Sequence, residues 1–322
     1  VRNNLWFKRN DAVVVVYLAL IVVAIAGVIL NPVFIGPKNL GNLLEQSTAL
    51  GIVSIGQAMA ILVAGIDLSA GAVMSITSAV LATFISKGQP DIMLLPAILV
   101  VLLIGMLIGF INGLGITKLK LPPFVMTLGT MSIANGFALN ILPQPGGYVP
   151  KVISTIFNTR ITIIPIATFL WILLLVVAFI FLKRTRTGRN IYAVGGNEKT
   201  AVLTGISATK TNLVAYTLSG FMAALAGVYL VSRMYTGSPT AGTYFGLDSI
   251  TVCVLGGFNL FGGRGNVVGL VAATFVLAAL SNILNLAGLP PFYQYVLKGA
   301  ILLITVFIFA IRNNRKSTVM ES

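Results

Sequence analysis

The chain has 322 residues, 57% of them hydrophobic and only 9% charged, with a formal net charge of +14 and a mean hydropathy of +1.00. So little polar surface excludes soluble enzymes and soluble binding modules and defines a polytopic membrane protein. The positive charge suggests nucleic acid, but the basic residues stand at the ends of apolar runs rather than on one face, so membrane topology explains them and no nucleic-acid partner is expected.

Histidine is absent and Cys253 is the single cysteine. An intrachain disulfide is impossible, a Cys/His metal site lacks ligands, and the usual general base and proton-relay residue are missing. No nucleophile–base pair stands at a recognisable spacing, so no catalytic residue and no metal ligand is assigned.

From the N-terminus, the apolar run Ala12–Leu30 follows Arg2, Lys8 and Arg9 without a small-residue cleavage site before a soluble domain. It reads as a retained first span rather than a signal peptide. Further runs at about 43–64, 69–86, 93–113, 124–142, 163–182, 213–232, 247–260, 267–286 and 295–311 bring the expected number of transmembrane helices to ten, each near the ~20 residues a bilayer core requires. The run at 247–260 is too short for a simple span and is expected to be broken or re-entrant, buried by its neighbours.

Charge sets the orientation. With the N-terminus inside, 15 Lys and Arg fall on the inner side and 6 on the outer, namely Lys38, Lys87, Lys151, Arg160, Arg233 and Lys298. This asymmetry places both termini in the cytoplasm.

The longest polar stretch, 183–212, carries six of the 21 Lys and Arg and separates two apolar runs. Its interior predicts a short helix from Asn197 to Thr204 with Asn197 as N-cap. Two readings stand for it: a solvated topogenic loop, or a docking surface for a cytoplasmic partner.

Residues 1–322 read as one transmembrane domain, with a first half at about 12–142 and a second at about 163–311. Leu-Pro-Pro-Phe recurs at 121–124 and 289–292, and Gly65-Ile66-Asp67-Leu68 is echoed by Gly246-Leu247-Asp248-Ser249. An offset of five spans is odd, so these anchors predict a five-plus-five inverted repeat, a transporter feature whose pathway runs near the repeat interface.

Glu45, Asp67 and Asp248 are the acidic residues at span boundaries. Asp67 and Asp248 each read either as a helix cap or as a pathway residue, and neither stands in the middle of its run. Glu45 reads as facing water. Asn112, Asn135, Asn140, Asn282 and Gln294 supply neutral hydrogen-bonding groups suited to a cavity for a polar solute, with interhelical bonding as the alternative. Gly256–Gly269 is glycine-rich but lacks the Gly-Lys-Ser/Thr ending of a phosphate loop and reads as a tight inner turn. The segment Leu142–Ile163, with four prolines, reads as a structured outer loop.

An ordered set of segments now points to a family: Ala64-Gly65-Ile66-Asp67-Leu68-Ser69-Ala70-Gly71, Arg186-Thr187-Gly188-Arg189-Asn190-Ile191-Tyr192-Ala193-Val194-Gly195-Gly196-Asn197, Thr204-Gly205-Ile206, Ser238-Pro239-Thr240-Ala241-Gly242, Leu247-Asp248-Ser249-Ile250 and Val254-Leu255-Gly256-Gly257. Over nearly its whole length the chain resembles the permease subunits of bacterial ABC importers for ribose and related sugars. The resemblance implies a multi-pass protein of the bacterial inner membrane, paired with a second permease copy or homologue and embedded in lipid. Its implied partners are two cytoplasmic ABC ATPase subunits, which carry the ATP and magnesium, and an extracytoplasmic sugar-binding protein. No cofactor is implied on this chain.

The resemblance further implies that Asn197, Glu198, Lys199, Ala201 and Leu203 contact the ATPase, and that Arg233 meets the binding protein, with simple snorkelling as the alternative; Lys87 is the second residue expected at that docking face. Asp67, Asn112, Asn135, Asn140, Asp248, Asn282 and Gln294 are the expected pathway residues. Three positions depart from the pattern: Ala70 replaces a usual Val, Lys199-Thr200 a pair of small residues, and Glu45 a usual Gln. The competing readings are a branched-chain amino acid permease of the same general architecture, against which Gly-Ile-Asp-Leu-Ser argues, and an ion-coupled secondary transporter, which requires a titratable group at mid-membrane.

Overall fold

A computed structural model describes residues 2–85, 87 and 90–318. Among these, the regular elements are thirteen α-helices, two short 3-10 turns and one small hairpin. In order they are α1 (Arg2–Leu30), α2 (Pro37–Leu62), α3 (Ala70–Phe84), α4 (Leu94–Thr117), α5 (Pro123–Ile141), α6 (Lys151–Asn158), the hairpin β1 (Arg160–Ile161) and β2 (Ile164–Pro165), α7 (Ile166–Arg184), α8 (Arg186–Gly196), α9 (Glu198–Leu203), α10 (Ala208–Met234), α11 (Phe245–Leu255), α12 (Val267–Leu286) and α13 (Pro291–Thr318). Each apolar run expected to span the membrane coincides with one helix. Six helices, α1, α4, α5, α7, α10 and α12, are long and apolar enough to cross it. The chain is an all-α polytopic membrane protein.

The helices sort by what surrounds them. In α1 only 11% of the apolar window is buried, against 72% in α10, so α1 belongs to the rim and α10 to the centre. The helix α2 is buried at every position from Ser47 to Leu62. It carries Ser, Thr, Gly and Gln because its surroundings are protein rather than hydrocarbon, and it packs on α10, α11, α12 and α7. Close approach at the centre is secured by small residues. Along α4, a Cβ on Gly105 would lie 2.5 Å from the Gly220 carbonyl oxygen of α10, and one on Gly109 would overlap the Tyr216 carbonyl.

Two helices are short. With 15 residues and 11 residues, α3 and α11 measure about 22 and 16 Å, less than the ~30 Å hydrocarbon thickness. This agrees with the expectation for 247–260 and corrects that for 69–86. Their N-termini meet: a Cβ on Gly71 would lie 3.0 Å from the Gly246 nitrogen, and one on Gly242 would overlap the Gly71 carbonyl. The backbone between α10 and α11 runs back along α3, with Gly242 N–H donating to Ser75 Oγ at 3.0 Å and Ser238 N–H to Ser78 Oγ at 2.8 Å. At its far end Gly146 and Gly237 exchange backbone hydrogen bonds of 2.9 and 2.8 Å. The segment 142–163 is thus structured, as its prolines suggest.

Candidate coupling site and intramembrane polar network

The polar stretch 183–212 is mostly helical. Thr185 caps α8, its Oγ1 accepting from Gly188 N–H at 3.0 Å, and Asn197 caps α9 by accepting from Thr200 N–H at 3.0 Å. Gly205, at φ +84°, ends this turn of chain in the left-handed region that glycine tolerates. The sequence reading foresaw the Asn197 cap but missed α8. Its signal was present: Gly188, Ile191, Val194 and Gly195 recur at helical spacing and are the buried residues of α8.

Helix α8 is locked to the rest of the fold through backbone. A Cβ on Gly195 would overlap the Leu62 carbonyl oxygen at the end of α2 and lie 2.8 Å from the Gly263 nitrogen. Gly263 N–H donates to that same Leu62 carbonyl at 3.0 Å. A Cβ on Gly263 would lie 2.5 Å from the Gly196 Cα. Three segments therefore meet with no side chain between them: the end of α2, the end of α8, and the Gly256–Gly269 turn, which is tight as expected. Tyr192 adds one more tie, its hydroxyl donating to the Gly265 carbonyl at 3.0 Å. Burial raises the Tyr192 phenol pKa above its ordinary value, which holds it as a neutral donor.

Beyond that joint α9 is outward-facing. Asn197, Glu198, Lys199 and Leu203 are exposed, and Leu203 at 87% is an apolar side chain offered almost entirely to solvent. Ala201 differs from its expected role. It is 4% exposed and packs on Val194 and Ala208, so it seats α9 rather than meeting a partner. Val202, 52% exposed, takes the outward place beside Leu203.

Just past the joint, the turn 63–69 carries Asp67. Its carboxylate Oδ1 accepts from Ser69 N–H at 3.0 Å and Ser69 Oγ at 2.5 Å, and Oδ2 accepts from Ser219 Oγ of α10 at 2.7 Å. In the amide orientation that satisfies both groups, Gln57 of α2 donates to the Asp67 carbonyl at 2.9 Å and accepts its N–H at 3.2 Å. Asn112 of α4 donates to Ser69 Oγ at 2.9 Å and accepts from Thr130 Oγ1 of α5 at 2.8 Å. Asp67, Gln57, Ser69, Asn112 and Ser219 are all completely buried, so one polar chain fastens α2, α3, α4, α5 and α10. Asp67 holds Ser69, the N-cap residue of α3, and also binds across helices. It lies inside the bundle, not at its rim as its place in the sequence suggested.

The other two acidic residues at span boundaries, Asp248 and Glu45, are paired. Asp248 stands in the first turn of α11, where its side chain caps nothing and instead accepts from Lys298 Nζ of α13 at 2.6 Å. Lys298, counted among the outer charges and inside the run at 295–311, lies within α13. Glu45, expected to face water, has 13% side-chain exposure and holds Arg160 at 2.6 Å and Arg233 at 3.5 Å. Tyr229 also donates to its backbone carbonyl at 3.1 Å. Arg233 is therefore partly neutralised, while Lys87 lies in an exposed turn after α3.

The neutral candidates divide. Asn282 and Asn39 exchange two amide hydrogen bonds of 2.9 Å while buried, which ties α12 to the start of α2. Gln294 donates to Asn285 at 2.6 Å. On α5, Asn135 is half-buried and Asn140 exposed, and a Cβ on Gly129 or Gly136 would meet open space. Asn112 belongs to the Asp67 network.

A helical bundle with two short central helices, and a backbone-locked polar elbow on one face, is the architecture of a polytopic membrane protein. The chain belongs to the family described as branched-chain amino acid transport system / permease component, which matches residues 39–306. It is 39% identical over 295 residues to the ribose import permease protein RbsC of Bacillus subtilis, covering 91% of both chains. It is 35% identical to the fructose import permease protein FrcC of Rhizobium meliloti over 94% of this chain and 86% of that protein. The xylose transport system permease protein XylH of Escherichia coli is 32% identical over 85% of each. No solved structure matches the chain.

Proposed function

We propose that the chain is the membrane-spanning permease subunit of an ATP-driven ABC importer that carries a monosaccharide across the cell membrane. The observation that carries this reading is the near end-to-end similarity to import permeases named for ribose, fructose and xylose. The family description names branched-chain amino acids instead, which makes an amino-acid permease the second reading. The sugar relatives weigh more because each is matched individually, over 85–94% of this chain.

On this reading the α8–α9 elbow receives a separate ATPase, with Asn197, Glu198, Lys199, Val202 and Leu203 at the contact. ATP and magnesium reside on that partner, while an extracytoplasmic binding protein delivers the sugar near Arg233 and Lys87. The protein sits in a bacterial inner membrane with ten membrane-embedded segments, of which α3 and α11 are short, and with both termini cytoplasmic, as the distribution of Lys and Arg supports. The inverted repeat is supported by reciprocal packing: α3 lies on α10 as α11 lies on α2, α4 on α10 as α12 on α2, and α3 on α5 as α11 on α13. An ion-coupled mechanism is disfavoured because both buried carboxylates are engaged, Asp67 by hydroxyl and backbone donors and Asp248 by Lys298.

The test is uptake of labelled ribose, xylose, fructose and leucine by cells with and without the gene. Loss of uptake of one of the sugars on deletion, abolished by ATP depletion and retained when ion gradients are collapsed, is the expected result. Loss of leucine uptake alone would move the protein to the amino-acid reading.

A further inference from the structure

The α11–α13 contact is built of two rungs one helical turn apart. In the first, the rings of Tyr244 and Tyr295 stack with centroids 3.7 Å apart and planes 19° from parallel. In the second, Lys298 Nζ donates to Asp248 Oδ2 at 2.6 Å. Tyr244 precedes Asp248 by four residues and Tyr295 precedes Lys298 by three, so all four side chains project on one side of the helix pair. The rings stay 45% and 38% exposed, whereas Asp248 is 8% exposed. One turn beyond Tyr295, a Cβ on Gly299 would meet nothing within 4 Å, so space lies open before this face.

This face is a poor one for lipid. An ion pair in the hydrocarbon region is costly, and such residues turn to the bundle interior or to a water-filled cavity. Asp248 is also two residues past Gly246, where the broken helices α3 and α11 meet, and broken helices of this kind commonly line a permeation path. The chemistry of the face is selective. Tyrosine rings present negative π-faces to weakly positive C–H groups, as on one side of a sugar ring, while the adjacent carboxylate and ammonium offer an acceptor and a donor to its hydroxyls. A zwitterionic amino acid needs unpaired charges, and these two neutralise each other.

We propose that Tyr244, Tyr295, Asp248 and Lys298 form a monosaccharide subsite on the translocation path, the tyrosine pair taking the C–H face of the ring and the ion pair its hydroxyls. This rests on the sugar-permease reading above and adds to it a place and a recognition chemistry.

The test uses the full importer in intact cells with Gly299→Cys as a reporter. The native Cys253 is fully buried, so the background is low. A charged, membrane-impermeant methanethiosulfonate should label the reporter, and the monosaccharide that these cells take up should slow labelling about fivefold, the size of one aromatic contact. Leucine should not. Protection should vanish with Tyr244→Ala or Tyr295→Ala and persist with Tyr295→Phe; Tyr295→Leu decides the matter where an alanine variant fails to insert. An unreactive reporter, or protection indifferent to loss of both rings, overturns the subsite. A sugar that is taken up without protecting the reporter does the same and leaves the sugar-permease reading intact. Uptake of no monosaccharide by the wild type brings down that reading, and the subsite with it.

Discussion

The α8–α2–turn joint and the ion-pair clusters solve opposite mechanical problems. At the joint, backbone meets backbone: Gly195 and Gly263 close on the Leu62 carbonyl with no side chain between them. Such a contact has no rotamers to adjust, so displacement of α8 must be carried into the end of α2 and the turn bearing Asp67. The clusters around Glu45 and Asp248 are held by long, flexible side chains of Arg and Lys, which part and re-form without moving the backbone. The chain is stiff at the α8 joint and adjustable at the ion-pair clusters.

The largest effect should come from breaking the stiff part. In Gly195→Val the new side chain overlaps the Leu62 carbonyl, so α8 has to lift from α2. Overpacking of this kind costs about 1–3 kcal/mol, and more where backbone cannot yield. We expect transport to fall at least about tenfold and the thermal midpoint of the purified chain to drop. Full transport with an unchanged midpoint would dissolve the contrast between the two regions. Leu203→Asp sharpens it. That residue touches little of its own chain, so folding should be unaffected while ATPase association in a detergent pull-down is lost. Next in size is Asp67→Ala, which leaves the hydroxyls of Ser69 and Ser219 without their acceptor in a buried site, at about 1–3 kcal/mol per group. Asp67→Asn keeps an acceptor oxygen, so its loss in a chemical or thermal melt should be the smaller of the two.

Much of this was legible in the sequence, and the reasons differ by residue. Apolar runs located every long helix because hydrocarbon selects composition directly. The Asn197 cap was legible because capping is local. The role of Ala201 was not, because which side of a six-residue helix is covered depends on Val194 and Ala208, and so on α8 and α10. Asp67 stood beside an apolar run and read as a boundary residue, yet a broken helix brings such a boundary inside the bundle. The partners of Glu45, Asp248 and Asn282 lie 115, 50 and 243 residues away. No local pattern announces a pair at that separation; the polar residues were visible and their pairing was not.

The smallest expected effect is the most informative about the reversible part. Glu45→Gln removes the charge that holds Arg160 of the hairpin and Arg233 of α10 while keeping size and one acceptor oxygen. Both arginines are about 30% exposed, so solvent screens what remains, and ion pairs of this kind contribute about 0–1 kcal/mol. The melting midpoint should therefore move by only a few degrees at most. Transport should respond through salt instead. In the wild type, raising ionic strength loosens the clamp, so the transport rate should depend on salt; in Glu45→Gln that dependence should flatten, because the pair that salt weakens is already gone. A rate equally salt-sensitive in both proteins would mean that Glu45 does not work as a separable outer contact, and a collapse in stability would mean that it belongs with the rigid part of the fold.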